Sequence, residues 1–515
     1  MAHLRTRRRH ALLAVPVGLA LTASLGLLPG VASAAAPAAA KATVRTDSPL
    51  LSYVVNTGTE RGTLDTVKKA VRQNGGSIVE SYDKIGVIVA HSANPDFAKT
   101  LRAVPGVASA GATRTAPIAP AATTDVGKPE KVKLPKGYAA AAAKAAAAAK
   151  SGKAGKPAQE PLESLQWDLP AIKADQAAKV DPGSRKVTVG VIDTGVDDTH
   201  PDLAPNFSRA QSASCVTGKA DTSFSAWRPF DPKSDYHGTH VAGTIAAARN
   251  GVGVAGVAPN AKIAALKVST AKGSFFYAES VVCAFVFAAD HGISVTNNSY
   301  YVDPWMFNCA DDADQKAISD AVNRAVQYAD RKGVVNVASA GNSNFDLAAK
   351  KINDTSSPND TKPGPRDINP ATCLDVPAQL PGVITVSATG VNSLKSYYSN
   401  YGLGAIDVAA PGGDARQIPD APAKDGRILS TLPGGDYGFL QGTSMAGPHV
   451  AGVVALLKST HPKSNAAEIQ WILKAQAKNP GCPAQAPADA PCVGTKHINS
   501  HYGYGIVDAL AAVRN

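Results

Sequence analysis

The feature that most constrains this chain is a series of short, almost wholly apolar runs separated by helical stretches, all C-terminal to about residue 160. Val187–Ile192, Ile263–Val268, Ile293–Thr296, Val334–Ala338 and Val383–Val386 show little polar alternation. A strand buried on both faces reads this way, and such strands belong to parallel sheets covered by helices. The intervening stretches Ala278–Ala289, Ala317–Tyr328 and Ala446–Leu457 have helical spacing. This alternation predicts an α/β domain over residues 161–515, with three α/β/α layers around a mostly parallel central sheet.

The N-terminal third has a different character. Arg5, Arg7, Arg8 and Arg9 precede an apolar stretch from Ala11 to about Leu28, and Ala32-Ser33-Ala34 supplies small residues for cleavage. Residues 1–34 are therefore expected to be an export signal. A membrane anchor fits less well, because the apolar core is short and contains Pro16. Arg7-Arg8 resembles a twin-arginine signal, but the usual apolar residues do not follow it, which favours the Sec route. Between about 50 and 118, strand-like Tyr53-Val54-Val55, Ser77-Ile78-Val79, Val87-Ile88-Val89 and Val107-Ala108-Ser109 alternate with helical Leu64–Val71 and Phe97–Ala103. This β-α-β-β-α-β order predicts a small ferredoxin-like α+β domain. Residues 119–160, with two five-alanine runs ending in Lys144 and Lys150, are expected to be an exposed linker.

The formal charge of +11 raises the question of a nucleic-acid partner. Residues 1–160 carry 22 Lys+Arg against 9 Asp+Glu, and the remainder 30 against 32. The basicity thus sits in the leader and linker, which removes the charge argument for binding DNA or RNA. All six cysteines (Cys215, Cys283, Cys309, Cys373, Cys482, Cys492) lie in the C-terminal part. In an exported protein they favour disulfides with roughly 15 possible connectivities. Cys482 and Cys492 bracket a short loop and are the easiest pair to assign, and no cysteine pair has close zinc-ligand spacing.

Three motifs carry chemistry. Asp193 ends the apolar run in Val191-Ile192-Asp193-Thr194-Gly195-Val196, and His237-Gly238-Thr239-His240-Val241-Ala242-Gly243 leads into an apolar helix. Gly442-Thr443-Ser444-Met445-Ala446-Gly447-Pro448-His449 opens another helix. Singly, a strand-end Asp or a Ser before a helix is commonly a cap. Together, in the order Asp, His, Ser, they resemble the subtilisin-like serine peptidases (subtilases), whose triad follows that same chain order. The likeness spans about residues 161–515, and 50–118 is similar to the family's inhibitory propeptide.

The resemblance implies a secreted serine endopeptidase made as a self-processed zymogen. Ser444 would be the nucleophile, His237 the base, and Asp193 the residue orienting the base. The chemistry agrees: a serine hydroxyl needs a neighbouring base, and a histidine titrating near neutrality suits that role. His240 and His449, the second histidines of their motifs, are expected to be structural. Asn342, in Ser339-Ala340-Gly341-Asn342, would donate its amide to the oxyanion. Asn297 and Asn298 are expected to be ordinary strand-end residues.

By the same resemblance, substrate would add its backbone between Gly273-Ser274-Phe275 and Ser299-Tyr300-Tyr301. Subtilases commonly have Ser-Leu-Gly at the second site, so Tyr301 replaces a glycine and should bring a ring near the primary pocket. The resemblance also implies a stabilising calcium held by Asp202 and Asn250, with Glu163 a further oxygen donor. No organic cofactor is expected. The expected partners are protein or peptide substrates and the chain's own propeptide, with no nucleic acid and no membrane after signal cleavage, and the enzyme is expected to be a monomer. A silent pseudoprotease is disfavoured by the complete set of four residues. A serine esterase is disfavoured because residues 442–446 lack the second glycine of G-x-S-x-G and the order here is Asp, His, Ser.

Overall fold

The computed structural model describes residues 48–116, 129–134, 140 and 159–514. The expected export segment 1–34 and most of the stretch 119–160 lie outside the described residues. Along 51–112 the order is β1 (Leu51–Thr57), α1 (Arg61–Gln73), β2 (Gly76–Tyr82), β3 (Val87–Ser92), α2 (Phe97–Arg102) and β4 (Val107–Ala112). A two-residue strand, β5 (Glu130–Lys131), follows. The sheet order β2-β3-β1-β4, with antiparallel neighbours, is that of the split-βαβ fold.

Successive residues of β1 serve two cores, as the period of two requires. Tyr53 and Val55 face α1 and α2, packing with Val67, Val71, Phe97 and Leu101. Val54 faces the other way and joins Val281, Phe285, Ala317 and Ala321 of the larger domain. Polar groups fix this docking: Asn56 Nδ2 donates to Ala317 O (2.9 Å) and Ser109 Oγ to Asp320 Oδ2 (2.7 Å). Arg324 Nη1 donates to Ile85 O (3.1 Å) and Gly86 O (3.2 Å). A Cβ on Gly111 would lie 2.5 Å from Asp314 Cα, so only glycine lets β4 approach this closely.

The larger domain contains β6 (Thr188–Asp193), β7 (Ala213–Ser214), α3 (His237–Ala246), β8 (Lys262–Lys267), α4 (Ala278–Asp290), β9 (Val295–Asn298), α5 (Ala313–Arg331), β10 (Val335–Ser339), β11 (Val383–Thr389), β12 (Val408–Pro411), β13 (Ile428–Leu432), β14 (Asp436–Leu440) and α6 (Thr443–Thr460). The seven-stranded sheet runs β12-β11-β10-β9-β6-β8-β7, and every pairing is parallel. Val189, Val191, Ile263, Ala265, Val335 and Val337 face α3 and α6. Ile192, Ala264, Leu266 and Ala338 face α4 and α5. Two apolar layers need two apolar strand faces, which is why the strands read as unbroken runs. The winding reverses between β6 and β9, and in such sheets the crevice beyond the strand C-termini at that point is where ligands bind.

Part of the expected linker, residues 129–134, pairs with the larger domain, with Glu130, Lys131 and Lys133 exposed. β5 pairs antiparallel with β14, and Val132 N donates to Tyr437 O (2.9 Å). Val132 and Leu134 pack beside Leu162, Val254, Leu429 and Tyr437, because two apolar residues among the lysines meet an open sheet edge. The expected Cys482–Cys492 disulfide is present, and Cys215–Cys283 and Cys309–Cys373 complete the set. Among the described residues no helix is long and apolar enough to cross a membrane.

Candidate active site

β6 delivers Asp193 to the switch point, fully buried. His237, the first residue of α3, places Nδ1 2.8 Å from Asp193 Oδ1 and 3.0 Å from Oδ2. Asp193 Oδ1 also accepts from Thr194 N (2.7 Å). Gly238 makes this approach possible. A Cβ there would lie 2.3 Å from Gly195 O and 3.2 Å from Asp193 Oδ1. Its N–H donates to Thr194 Oγ1 (3.0 Å), tying the start of α3 to the end of β6. His237 Nε2 is buried and makes no hydrogen bond among the described residues.

Ser444 lies in the first turn of α6, and its Oγ donates to Ser299 O at 3.4 Å rather than to His237. Its carbonyl accepts from Ser299 Oγ (3.0 Å). Gly447 packs where a Cβ would approach Asn297 Oδ1 to 3.1 Å, so a small residue seats α6 on β9. Asn342 is exposed and follows β10; its Oδ1 accepts from Thr443 N and Thr443 Oγ1, both at 2.8 Å. That fixes the amide, whose orientation is assigned from these bonds. Gly442 has φ +152, and a Cβ there would lie 3.6 Å from both Asn342 Nδ2 and Ser444 N. Two N–H donors therefore converge on space that a glycine leaves open.

The competing histidines are committed elsewhere. His240 Nε2 meets Ile428 O and Gly438 O at 3.1 Å each, and burial, aided by the neighbouring His237, pushes its pKa down to about 3. His449 is buried between Met445 O (2.8 Å) and Asp168 Oδ2 (2.9 Å). Asn298 Nδ2 donates to Val337 O (3.0 Å) across the sheet, and Asn297 Nδ2 to Ser299 Oγ (2.9 Å).

The two expected substrate edges flank this point unequally. Ser299 contacts Ser444, and Tyr300 turns inward, stacking on Phe276 at 4.8 Å with its hydroxyl on Asn298 Oδ1 (2.9 Å). Tyr301 is held by Asn359 Nδ2, which donates to its hydroxyl oxygen (3.0 Å). On the other edge Gly273 has φ +80 and Ser274 φ +49, and Ser274 Oγ donates to Asp235 Oδ1 (3.2 Å). Phe275 departs from expectation. Its N–H donates to Thr270 Oγ1 (3.1 Å) and its carbonyl accepts from Thr270 N (2.9 Å), so a local turn uses the groups a substrate strand would need. Sequence reasoning missed Thr443 and Asp235; a Thr beside the nucleophile and an Asp two residues before His237 were the available signals.

The residues expected to hold calcium are engaged with protein groups. Asn250 Nδ2 donates to Pro201 O and its Oδ1 accepts from Val252 N. Asp202 Oδ2 accepts from Val254 N and Tyr437 OH, both at 3.0 Å, and both Glu163 oxygens pair with the Arg249 guanidinium. Arg249 thus supplies a cation to Glu163, and the Asn250 amide is committed to Pro201 O and to its own loop. Left over are Asp202 Oδ1 and Glu160 Oε1, buried without hydrogen-bond partners among the described residues. Burial raises the Glu160 pKa to about 7 and, with Glu160 repulsion adding to it, lifts Asp202 well above the carboxylate range.

The subtilase family model matches residues 184–505, more than half of the chain. The chain belongs to the subtilase family. This subtilase is 31% identical to subtilisin Savinase of Lederbergia lenta and 32% to subtilisin DY of Bacillus licheniformis. Each match spans 352 residues, 68% of this chain and 100% of the relative. Fervidolysin from Fervidobacterium pennivorans, a keratinolytic enzyme related to subtilisin, superposes with a TM-score of 0.58 at 25% identity, covering 91% of this subtilase and 61% of that chain. The epidermin leader peptide processing serine protease of Staphylococcus aureus gives a TM-score of 0.62 at 24% identity over 90% and 98% of the two chains, a likeness of fold alone. The expected three-layer fold is borne out. As a family member, this subtilase is a serine endopeptidase acting on protein or peptide substrates.

Proposed function

We propose that this subtilase is secreted as a zymogen and cleaves peptide bonds through an acyl-enzyme on Ser444, with His237 as base and Asp193 orienting it. The observation that carries this reading is the convergence at the switch point: the buried Asp193–His237 pair, Ser444 opening α6, and Asn342 Nδ2 beside Ser444 N. In this reading Ser444 Oγ leaves Ser299 O and donates to His237 Nε2, which is buried without a hydrogen-bond partner among the described residues. Oγ then attacks the scissile carbonyl carbon as its proton passes to Nε2. The carbonyl π electrons move to oxygen, and the oxyanion accepts from Ser444 N–H and Asn342 Nδ2. Nε2 returns the proton to the leaving amine as the C–N bond breaks, and water hydrolyses the acyl-enzyme by the same route. Asp193 holds Nδ1–H and stabilises the imidazolium between these steps.

Residues 50–118 serve as the inhibitory propeptide, supported by the seating of their sheet on α4 and α5 and by the path of residues 113–116 beside Tyr277. Residues 1–34 direct export. The test is secretion of the full chain and of its Ser444→Ala variant from a host lacking extracellular proteases. The wild type is expected to label with a fluorophosphonate and to lose its N-terminal domain by a cut between about 115 and 160. The variant is expected to remain uncut and unlabelled. A mature-sized variant would show that another enzyme makes the cut.

A further inference from the structure

The chain leaving β4 meets the larger domain at two carboxylates. The Arg114 guanidinium pairs with Glu279, whose side chain is 2% exposed, and lies 4.0 Å from the centre of the Tyr277 ring. One residue on, Asp360 Oδ2 accepts from Thr115 N (2.8 Å), Ala116 N (3.3 Å) and Tyr277 OH (3.3 Å), and Asp360 Oδ1 accepts from Thr115 Oγ1. Asp360 is fully buried. Burial pushes the Glu279 carboxyl up, but the charge of Arg114 and hydrogen bonds from Thr113 and Arg114 outweigh it and hold it below its usual range.

This place adjoins the candidate cleft. Tyr277 follows Phe276, which stacks on Tyr300, and Ser299 before it contacts Ser444. Asp360 follows Asn359, which holds Tyr301. A buried acid on the first turn of α4, an aromatic face and a second acid aimed at two successive N–H groups together make a receptor for a peptide. The guanidinium supplies what the first two require: positive charge for Glu279 and a flat cation for the ring. With Arg114 gone, Glu279 is an acid without its cation, and a substrate carrying the same group restores the pair.

We propose that Tyr277, Glu279 and Asp360 form a specificity subsite for an arginine a few residues upstream of the scissile bond, and that Arg114 occupies it in the precursor. The proposal rests on reading residues 50–118 as the bound propeptide. Asp360 reads the backbone after the arginine, so its contribution is common to many peptides. Glu279 and Tyr277 discriminate the side chain. Lysine keeps the charge but lacks the planar fork, and falls between arginine and alanine.

The test uses the secreted, processed enzyme and internally quenched peptides spanning residues 110–124, with Arg114 kept or replaced by Lys, Ala or Glu. Cut positions are read by mass spectrometry. The expected kcat/KM falls about 10- to 100-fold from Arg to Ala, with Lys between and Glu lowest. Glu279→Gln is expected to remove most of the Arg-over-Ala ratio while casein hydrolysis stays Ser444-dependent. Glu279→Arg reads the charge a second way, by favouring the Glu peptide. Circular dichroism and fluorophosphonate labelling check that both variants fold. Equal rates on the Arg and Ala peptides, or no cleavage of the Arg peptide by enzyme that digests casein, overturn the subsite and leave the proposed peptidase intact. Loss of Ser444-dependent casein hydrolysis in the wild type would instead refute the peptidase reading.

Discussion

The carbonyl of Ser444 accepts its hydrogen bond from Ser299 Oγ at 3.0 Å because Pro448, four residues on, has no N–H to give it. A proline inside α6 frees the carbonyl of the proposed nucleophile, and a side chain from the end of β9 claims it. Helix start and strand end are thereby locked at the point where the chemistry is proposed. Ser299→Ala is expected to destabilise the fold by about 1–3 kcal/mol, the cost of a buried acceptor left unpaired. In a Pro448→Ala background the restored N–H can serve Ser444 O, so the same change is expected to cost about 1 kcal/mol less. Urea unfolding of the four variants, made on Ser444→Ala to prevent autolysis, measures this coupling. Additive losses would sink it.

Asn342→Ala is expected to lower kcat by about 10²–10³ with little change in KM, because its Nδ2 would donate only to charge that develops in the transition state. The side chain is exposed and, among the described residues, bonds Thr443 alone, so thermal unfolding is expected to move little. A near-normal kcat would remove Asn342 from the oxyanion site.

Tyr301 lies on the second expected substrate edge, and its hydroxyl accepts from Asn359 Nδ2 at 3.0 Å. Its ring, two residues from Ser299 in the chain, is expected to narrow the space for the side chain before the cut. Tyr301→Gly is expected to broaden the residues accepted just before the cut, read from a peptide library digested by both enzymes. Identical cleavage profiles would refute the steric account.

Glu160 carries a pH signature. Burial raises its folded-state pKa from 4.5 to about 7, so the folded protein holds the proton more tightly than the unfolded chain. Stability from the neutral carboxyl is fully present below about pH 4 and is lost as pH rises through about 7. Glu160→Gln is expected to match wild type at pH 4 and to exceed it by on the order of 2 kcal/mol at pH 8. Calcium held by Asp202 and Asn250 is expected to raise the melting temperature, chelator to reverse the rise and Asp202→Ala to abolish it, because the ion would bind only the folded state. A melting temperature indifferent to both calcium and chelator would count against the site.

Much of this enzyme was legible in its sequence because the informative features are local. A strand buried on both faces must be apolar along its length, so β6, β8, β9, β10 and β11 could be placed from their runs of apolar residues. Asp193, His237, Ser444 and Asn342 each sit at an element's end in a short motif whose glycines permit close approach, as Gly238 does against Asp193. The tertiary structure alone decided what depends on residues far apart in the chain. It spent the backbone of Phe275 on Thr270, closed the 249–254 loop on Glu163 with Arg249, and seated β5 on the distant β14. It also brought Arg114 to Glu279 and Thr115 to Asp360. Periodicity reports which face of an element is buried, but not which distant group will meet it there; that choice belongs to packing, and only the folded chain makes it.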